Sequence, residues 1–465
     1  VNIIDHAGSK TERAGSAPGL SNTARASGAP ENREQAGATM AAPAPVAWRM
    51  LAVLIAAVSI GSMGRYAVGP LSPFIIDHFG LSKAQFGALS SAIGLGAIAT
   101  SYAVGLLIDR LGVRQVIRLG LLVIGLPLAA FFFPVSYAGA AALLLVSGAG
   151  FSSISPLSSN GTASWFPPRA RGMTVGFTQA GIPLGVALAG LVMPRLALAA
   201  GWNVALAILG LSVACAAVLL SAIYRDGPLP AAGRAHGGGP GGAPAGEETT
   251  SGRRAAARGR SLPWAIVSED GMIWLYLLGL VMAMTQNSVI AFLVPFIQDR
   301  WALPVVTAGA LLSVSQFAGM GARPVIGYLS DRFAGGRRKH LLVLIAFLAG
   351  GALVLLAVSP ASLPAALVAV MMVVVGLTTL GWSGLFFTLN LEKARPGTAG
   401  AASGLAVGVV MTGSLVGPAL FGYLADAAGY ATSWLALAGG LAVAAGCFAR
   451  RFRERTAASD HPAAA

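Results

Sequence analysis

The sequence predicts an all-α membrane protein of twelve transmembrane helices in two pseudo-symmetric six-helix bundles, and three observations predict it. Of the 465 residues, 55% are hydrophobic and only 10% charged, with mean hydropathy +0.73, which is roughly half the charge of a soluble domain. Apolar runs of about 20 residues, each long enough to cross a bilayer as a helix, follow one another along most of the chain. The third observation is an internal repeat, set out after the elements themselves.

Residues 1–45 are rich in Ala, Gly and Ser and lack the apolar core of a signal peptide, so they read as a disordered tail. An N-terminal bundle over 46–224 follows, with spans at about 48–75, 84–107, 115–135, 139–164, 172–199 and 202–223. The stretch 225–263 is rich in Gly, Pro, Ala and Arg and reads as a flexible cytoplasmic linker. A C-terminal bundle over 264–450 holds spans at about 271–297, 304–329, 340–358, 364–389, 399–424 and 431–449, and 451–465 form a second tail. Trp48, Trp264 and Trp301 lie near span ends and suit an interfacial belt. Cys215 and Cys447 lie in apolar stretches without metal-ligand spacing and read as packing residues.

The formal net charge of +14 sits in short clusters between the spans rather than along one face. Topology explains such clusters, and no nucleic-acid partner is expected. With the N-terminus inside, only Lys83, Arg195 and Arg300 fall on outer loops or outer span ends. Both termini are therefore expected in the cytoplasm, with the chain spanning a cell inner membrane as a monomer in the lipid bilayer.

The repeat lies at the ends of the second and eighth spans. Gly105-Leu-Leu-Ile-Asp109-Arg110-Leu-Gly112-Val-Arg114 closes one, and Gly327-Tyr-Leu-Ser-Asp331-Arg332-Phe-Ala-Gly-Gly-Arg337-Arg338-Lys339 closes the other, each the second span of its half. A weaker echo links Arg171-Gly172 through Gly201-Trp202 with Gly400 through Trp434. Parallel repeats of six helices are one architecture of secondary transporters.

With these motifs the chain resembles the major facilitator superfamily over essentially Trp48 to Arg450. The resemblance implies a central cavity between the bundles and alternating access by rocking. It also implies that the loop of Asp109, Arg110 and Arg114 stabilises the outward-facing state, with Asp331 and Arg332 as its second copy. A carboxylate at a helix end can pair with neighbouring arginines or meet the positive N-terminus of another helix, which gives such a loop the means to latch. The small residues Gly181, Pro183, Gly185, Gly413, Gly417, Pro418 and Gly422 suit close helix packing along a moving seam.

Two charged residues fall clearly within spans, Arg65 in the first and Arg323 in the eighth. An intramembrane charge is costly unless it faces protein or water, so both are candidate functional groups. Ser62-Met-Gly64-Arg65-Tyr66 resembles the organic-anion members of the superfamily, although Gly64 stands where some of them carry an acidic residue. Ala322-Arg323-Pro324 resembles the monocarboxylate and oxalate/formate transporters, in which the matching Arg pairs with the substrate carboxylate. A guanidinium suits that task through its planar fork and persistent charge. Arg323 lies eight residues before Asp331, about 12 Å in from that helix end, so an inner gate is the alternative for it. Tyr66, Asn160, Gln286 and Asn287 are the further candidates to line the cavity.

No Asp, Glu or His lies deep in any span, which disfavours a pump for polycationic drugs. There is no phosphate-cradling loop for ATP and no catalytic or metal-binding constellation among the five His, so no cofactor, metal site or enzymatic activity is expected. The reading is a secondary active or facilitative transporter of a small organic anion, a mono- or dicarboxylate. Efflux of apolar or weakly charged compounds is the first alternative, and a non-transporting membrane sensor on the same fold is the second.

Overall fold

The computed structural model describes residues 45–228, 271–333, 338–394 and 399–452. The expected tails, most of the expected linker and Trp264 lie outside the described residues. Within the described residues the structure is helical, with no strand. Ten described segments are long and apolar enough to cross a membrane.

The first half comprises α1 (Pro45–Tyr66), α2 (Ser72–Phe79), α3 (Lys83–Ala129), α4 (Tyr137–Phe151), α5 (Ile154–Ala163), α6 (Pro168–Gln179), α7 (Gly181–Ala200) and α8 (Trp202–Ile223). The second comprises α9 (Met272–Trp301), α10 (Val305–Phe333), α11 (Arg338–Val358), α12 (Ala365–Leu380), α13 (Ser383–Lys393) and α14 (Ala399–Arg451). At 1.5 Å per residue, α3 and α14 are each far longer than a bilayer is thick. Both are two passes joined at a glycine in backbone that L-residues rarely adopt, Gly112 (φ 80°, ψ 170°) in α3 and Gly429 (φ 84°, ψ 167°) in α14. Dividing these two helices gives twelve passes among the described residues. Gly201, between the fifth and sixth passes, has nearly the same backbone geometry as Gly429 between the eleventh and twelfth (φ 89°, ψ 152°), a structural counterpart of the weaker sequence echo.

Helices inside a bilayer associate by close packing rather than by expelling water. In the first half, α3 packs on α4 and α8, and α1 on α7; in the second, α9 and α11 pack on α14, and α10 on α12. The halves meet where α3 lies against α14 and α7 against α10. The end of the molecule carrying Pro45 and Arg451 is called proximal below, and the opposite end distal.

Two expectations are corrected here. Trp301 is buried, its indole Nε1 donating to Pro360 O at 3.0 Å and its ring packed on Phe296. The ring is thus packed inward rather than standing in a belt, and Ala302, with positive φ, ends α9 directly after it. Cys215 is exposed on α8 instead of packed, and Cys447 is half-buried.

Candidate functional site

Several passes are broken inside the membrane, and proline explains three of the breaks. A proline has no N–H for the carbonyl four residues earlier, and its ring crowds that carbonyl. Pro70, Pro156 and Pro183 thereby disfavour continued helix past Tyr66, Ser152 and Gln179, and α1, α4 and α6 end at Tyr66, Phe151 and Gln179. The tenth pass breaks at Gly381 and Trp382, between α12 and α13. Such breaks release main-chain carbonyls within the bundle, where protein groups must satisfy them.

Arg65 occupies the last turn of α1, where a cation is favoured by the helix dipole. It is buried, 5% exposed. Its Nη2 donates to Ser414 Oγ in α14 at 2.8 Å, and Ser414 Oγ donates to Asn287 Oδ1 in α9 at 2.8 Å. Its guanidinium carbon stands 5.0 Å from the Tyr66 ring centre and 4.5 Å from that of Phe151. Nε and Nη1 are buried and have no hydrogen-bond partner among the described residues, and the same holds for Ser90 Oγ. A buried donor left alone costs roughly 1–3 kcal/mol, so two on one guanidinium mark a group arranged to meet acceptors. Arg65, Tyr66, Ser90, Asn287 and Ser414 line one small cleft, part of it open to solvent. Val68, Ile93, Ile290, Ala291 and Pro418 complete a mostly apolar wall.

Arg323 stands half-buried on α10. Its Nη1 donates to Gln179 O and its Nε to Leu380 O, each at 3.2 Å. Gln179 O is the carbonyl that Pro183 leaves without its helical donor, and Leu380 O ends α12. Arg323 thus ties two broken helices together, one from each half, with its charge at their negative ends.

Arg323, Asn160 and Gln286, expected at the cavity, all stand outside the cleft lining. Asn160 Nδ2 donates to Pro156 O on its own helix at 3.2 Å, and Gln286 Oε1 accepts from Trp382 Nε1 at 3.1 Å, joining the seventh and tenth passes. Among the loop residues, Arg110 is exposed. Arg114 Nε donates to Ser221 O at 2.7 Å, a bond to the end of α8 within its own half. The side chains of Asp109, Asp331 and Arg332 lie outside the described ones. Ser414, Ser90 and Phe151 were not among the residues the sequence singled out. Serines are common in these spans, and no spacing separates one that meets an arginine across the molecule from one that bonds its own helix.

The two halves close on each other from the distal rim to the level of Arg323. At the rim, the Asp426 carboxylate accepts the backbone N–H of Lys83 at 2.9 Å and of Ala84 at 2.7 Å, so α14 caps the start of α3. Ser82 and Gln85 complete that helix start with a capping box. Deeper, Ser91 Oγ donates to Leu415 O at 2.5 Å and Ser313 Oγ to Ala187 O at 2.7 Å. Gly190 and Gly309 meet backbone to backbone, and a Cβ on Gly190 would stand 2.5 Å from Gly309 O. The seam between the halves therefore uses Gly190 and Gly309, together with the expected Gly422, where a Cβ would run into Lys83 O. Gly185, expected there, instead packs against Ser59 O of α1 in its own half.

A family model described as Major Facilitator Superfamily matches residues 54–412. An uncharacterized MFS-type transporter of Mycobacterium tuberculosis is 26% identical over 395 residues, covering 83% of this chain and 81% of that one. A hexuronate transporter of Bacillus subtilis is 23% identical over 404 residues, covering 84% and 91%. Among solved structures, a bacterial homolog of the human lysosomal transporter Spinster, inward-facing and occupied, superposes with TM-score 0.68 at 16% identity, covering 88% of this chain and 98% of that one.

Proposed function

The chain belongs to the major facilitator superfamily, and on that premise we propose that this multi-pass membrane transporter carries a small organic anion, a mono- or dicarboxylate, by alternating access. The observation that carries the reading is Arg65, a buried cation with two unpartnered donors at a cleft between the halves. An anion entering there gains charge-assisted hydrogen bonds, and Ser90 Oγ offers a further donor. Tyr66 and Asn287 line the same cleft. Arg323 holds the ends of α6 and α12. That the Bacillus relative is a hexuronate transporter supports the class, since a hexuronate is a sugar carboxylate.

The Lys/Arg distribution supports both termini in the cytoplasm, and the proposed protein is an inner-membrane monomer of bundles 46–224 and 264–450 joined by the linker 225–263. In that orientation the closed distal side is external. Asp109, Arg110, Arg114, Asp331 and Arg332 then stand at the cytoplasmic side, where they latch the outward-facing state.

The test is ligand-induced thermal stabilisation of the purified protein against carboxylates, sugar acids and hydrophobic cations. A ligand of the native state raises apparent stability by mass action. Stabilisation by a carboxylate class that disappears in Arg65→Gln supports the reading. Stabilisation by hydrophobic cations alone, unchanged in the variant, contradicts it in favour of efflux.

A further inference from the structure

We propose that Ser414, braced by Asn287, is the positioning residue that aims Arg65 at the transported anion, and that it does so from the opposite half of the molecule. The proposal rests on the organic-anion reading above.

The polarity of the chain of bonds follows from its members. Arg65 only donates, so Ser414 Oγ accepts from Nη2 and its single proton goes to Asn287 Oδ1. Asn287 has its own amide orientation fixed, because Nδ2 donates to Ala283 O one turn earlier at 2.9 Å. The relay from Ala283 O to Arg65 Nη2 therefore has one consistent direction, with each side chain holding the next. The rings of Tyr66 and Phe151 flank the guanidinium. With Nη2 anchored and the rings beside it, Nε and Nη1 are the donors left for an acceptor at the cleft.

Arg65 belongs to α1, whereas Ser414 and Asn287 belong to α14 and α9. Separating the halves at the distal end breaks the bond between Arg65 and Ser414. The aimed guanidinium is thus a property of the distally closed state, and affinity for the anion is linked to which end is open. A serine does this work well, since one hydroxyl both accepts from the cation and donates to the brace.

The experiment measures thermal stabilisation of the full-length protein by D-glucuronate, benzoate and succinate, in wild type, Arg65→Gln, Ser414→Ala and Ser414→Thr. Removing a hydrogen bond to a charged group predicts an apparent affinity about 10- to 100-fold weaker in Ser414→Ala. Ser414→Thr, which keeps the hydroxyl, is expected to restore binding towards wild type. A merely structural role for Ser414 lowers the melting temperature without moving the affinity. Ser414→Cys serves if the alanine variant fails to fold, because a thiol of similar shape is a weak acceptor and should reproduce the loss. Loss of stabilisation in Arg65→Gln with unchanged affinity in Ser414→Ala and Ser414→Cys overturns the proposal and leaves the anion reading intact. Absence of stabilisation in wild type, or stabilisation unaffected by Arg65→Gln, contradicts the anion reading and the proposal with it.

Discussion

Replacing Asp426 with Ala is expected to open the distal side of the transporter. In the structure one carboxylate accepts two backbone N–H groups from the first turn of α3, at 2.9 and 2.7 Å, across the boundary between the halves. Hydrogen bonds to a charged group contribute about 1.5–3 kcal/mol each when sheltered, but this carboxylate is exposed. Loss of a helix N-cap, about 0.5–2 kcal/mol, is the closer measure. The capping box of Ser82 and Gln85 remains in the variant, so the change falls on closure more than on the helix itself. A loss of about 1–2 kcal/mol moves the closed-to-open ratio by a factor of about 5–30. Asp426→Asn, which keeps an acceptor without the charge, should fall between. Spin labels at Phe133 and Ala361, both exposed and carried by opposite halves, would read the distal separation by pulsed electron resonance, with Cys215 and Cys447 replaced. A growing long-distance population in Asp426→Ala is the expected result. Identical distance distributions in wild type and both variants would refute the reasoning.

Other substitutions probe different parts of the same machine. Gly190→Val places a side chain against Gly309 O, and the same spin-label pair should report a distal side that no longer closes. Arg323→Gln leaves Gln179 O and Leu380 O without their donor, which costs roughly 1–3 kcal/mol per buried unpaired group. Its melting temperature in detergent should therefore fall by several degrees. Arg65→Gln should melt close to wild type in the absence of ligand, because the buried charge it removes is poorly compensated. Trp382→Phe loses the bond to Gln286 Oε1 between the seventh and tenth passes; a modest loss of thermal stability with the anion response retained is expected.

The passes were legible because hydropathy and length are properties of contiguous sequence. The repeat pointed to two related halves, and the matching geometry of Gly201 and Gly429 agrees with it. The breaks were legible in principle, since Pro70, Pro156 and Pro183 each mark the carbonyl four residues back. Yet Pro183 reads in the sequence as part of a packing motif, because nothing local tells that Gln179 O will be met by an arginine 144 positions away. Arg65 stood out because a charge in an apolar run is conspicuous. Its partner Ser414 did not, since a small hydroxyl acquires meaning only when α1, α9 and α14 are brought together. Asn160 shows the converse: polar and within a span, it spends its amide on its own helix.

Transport itself tests the central claim most directly. The protein, reconstituted in proteoliposomes, would be assayed for counterflow of labelled hexuronates, aromatic carboxylates and dicarboxylates beside hydrophobic cations, in wild type and Arg65→Gln. The account predicts counterflow of one carboxylate class, abolished in an Arg65→Gln protein that still inserts and melts normally. Carboxylate counterflow undiminished in that variant, or counterflow of hydrophobic cations alone, would contradict it.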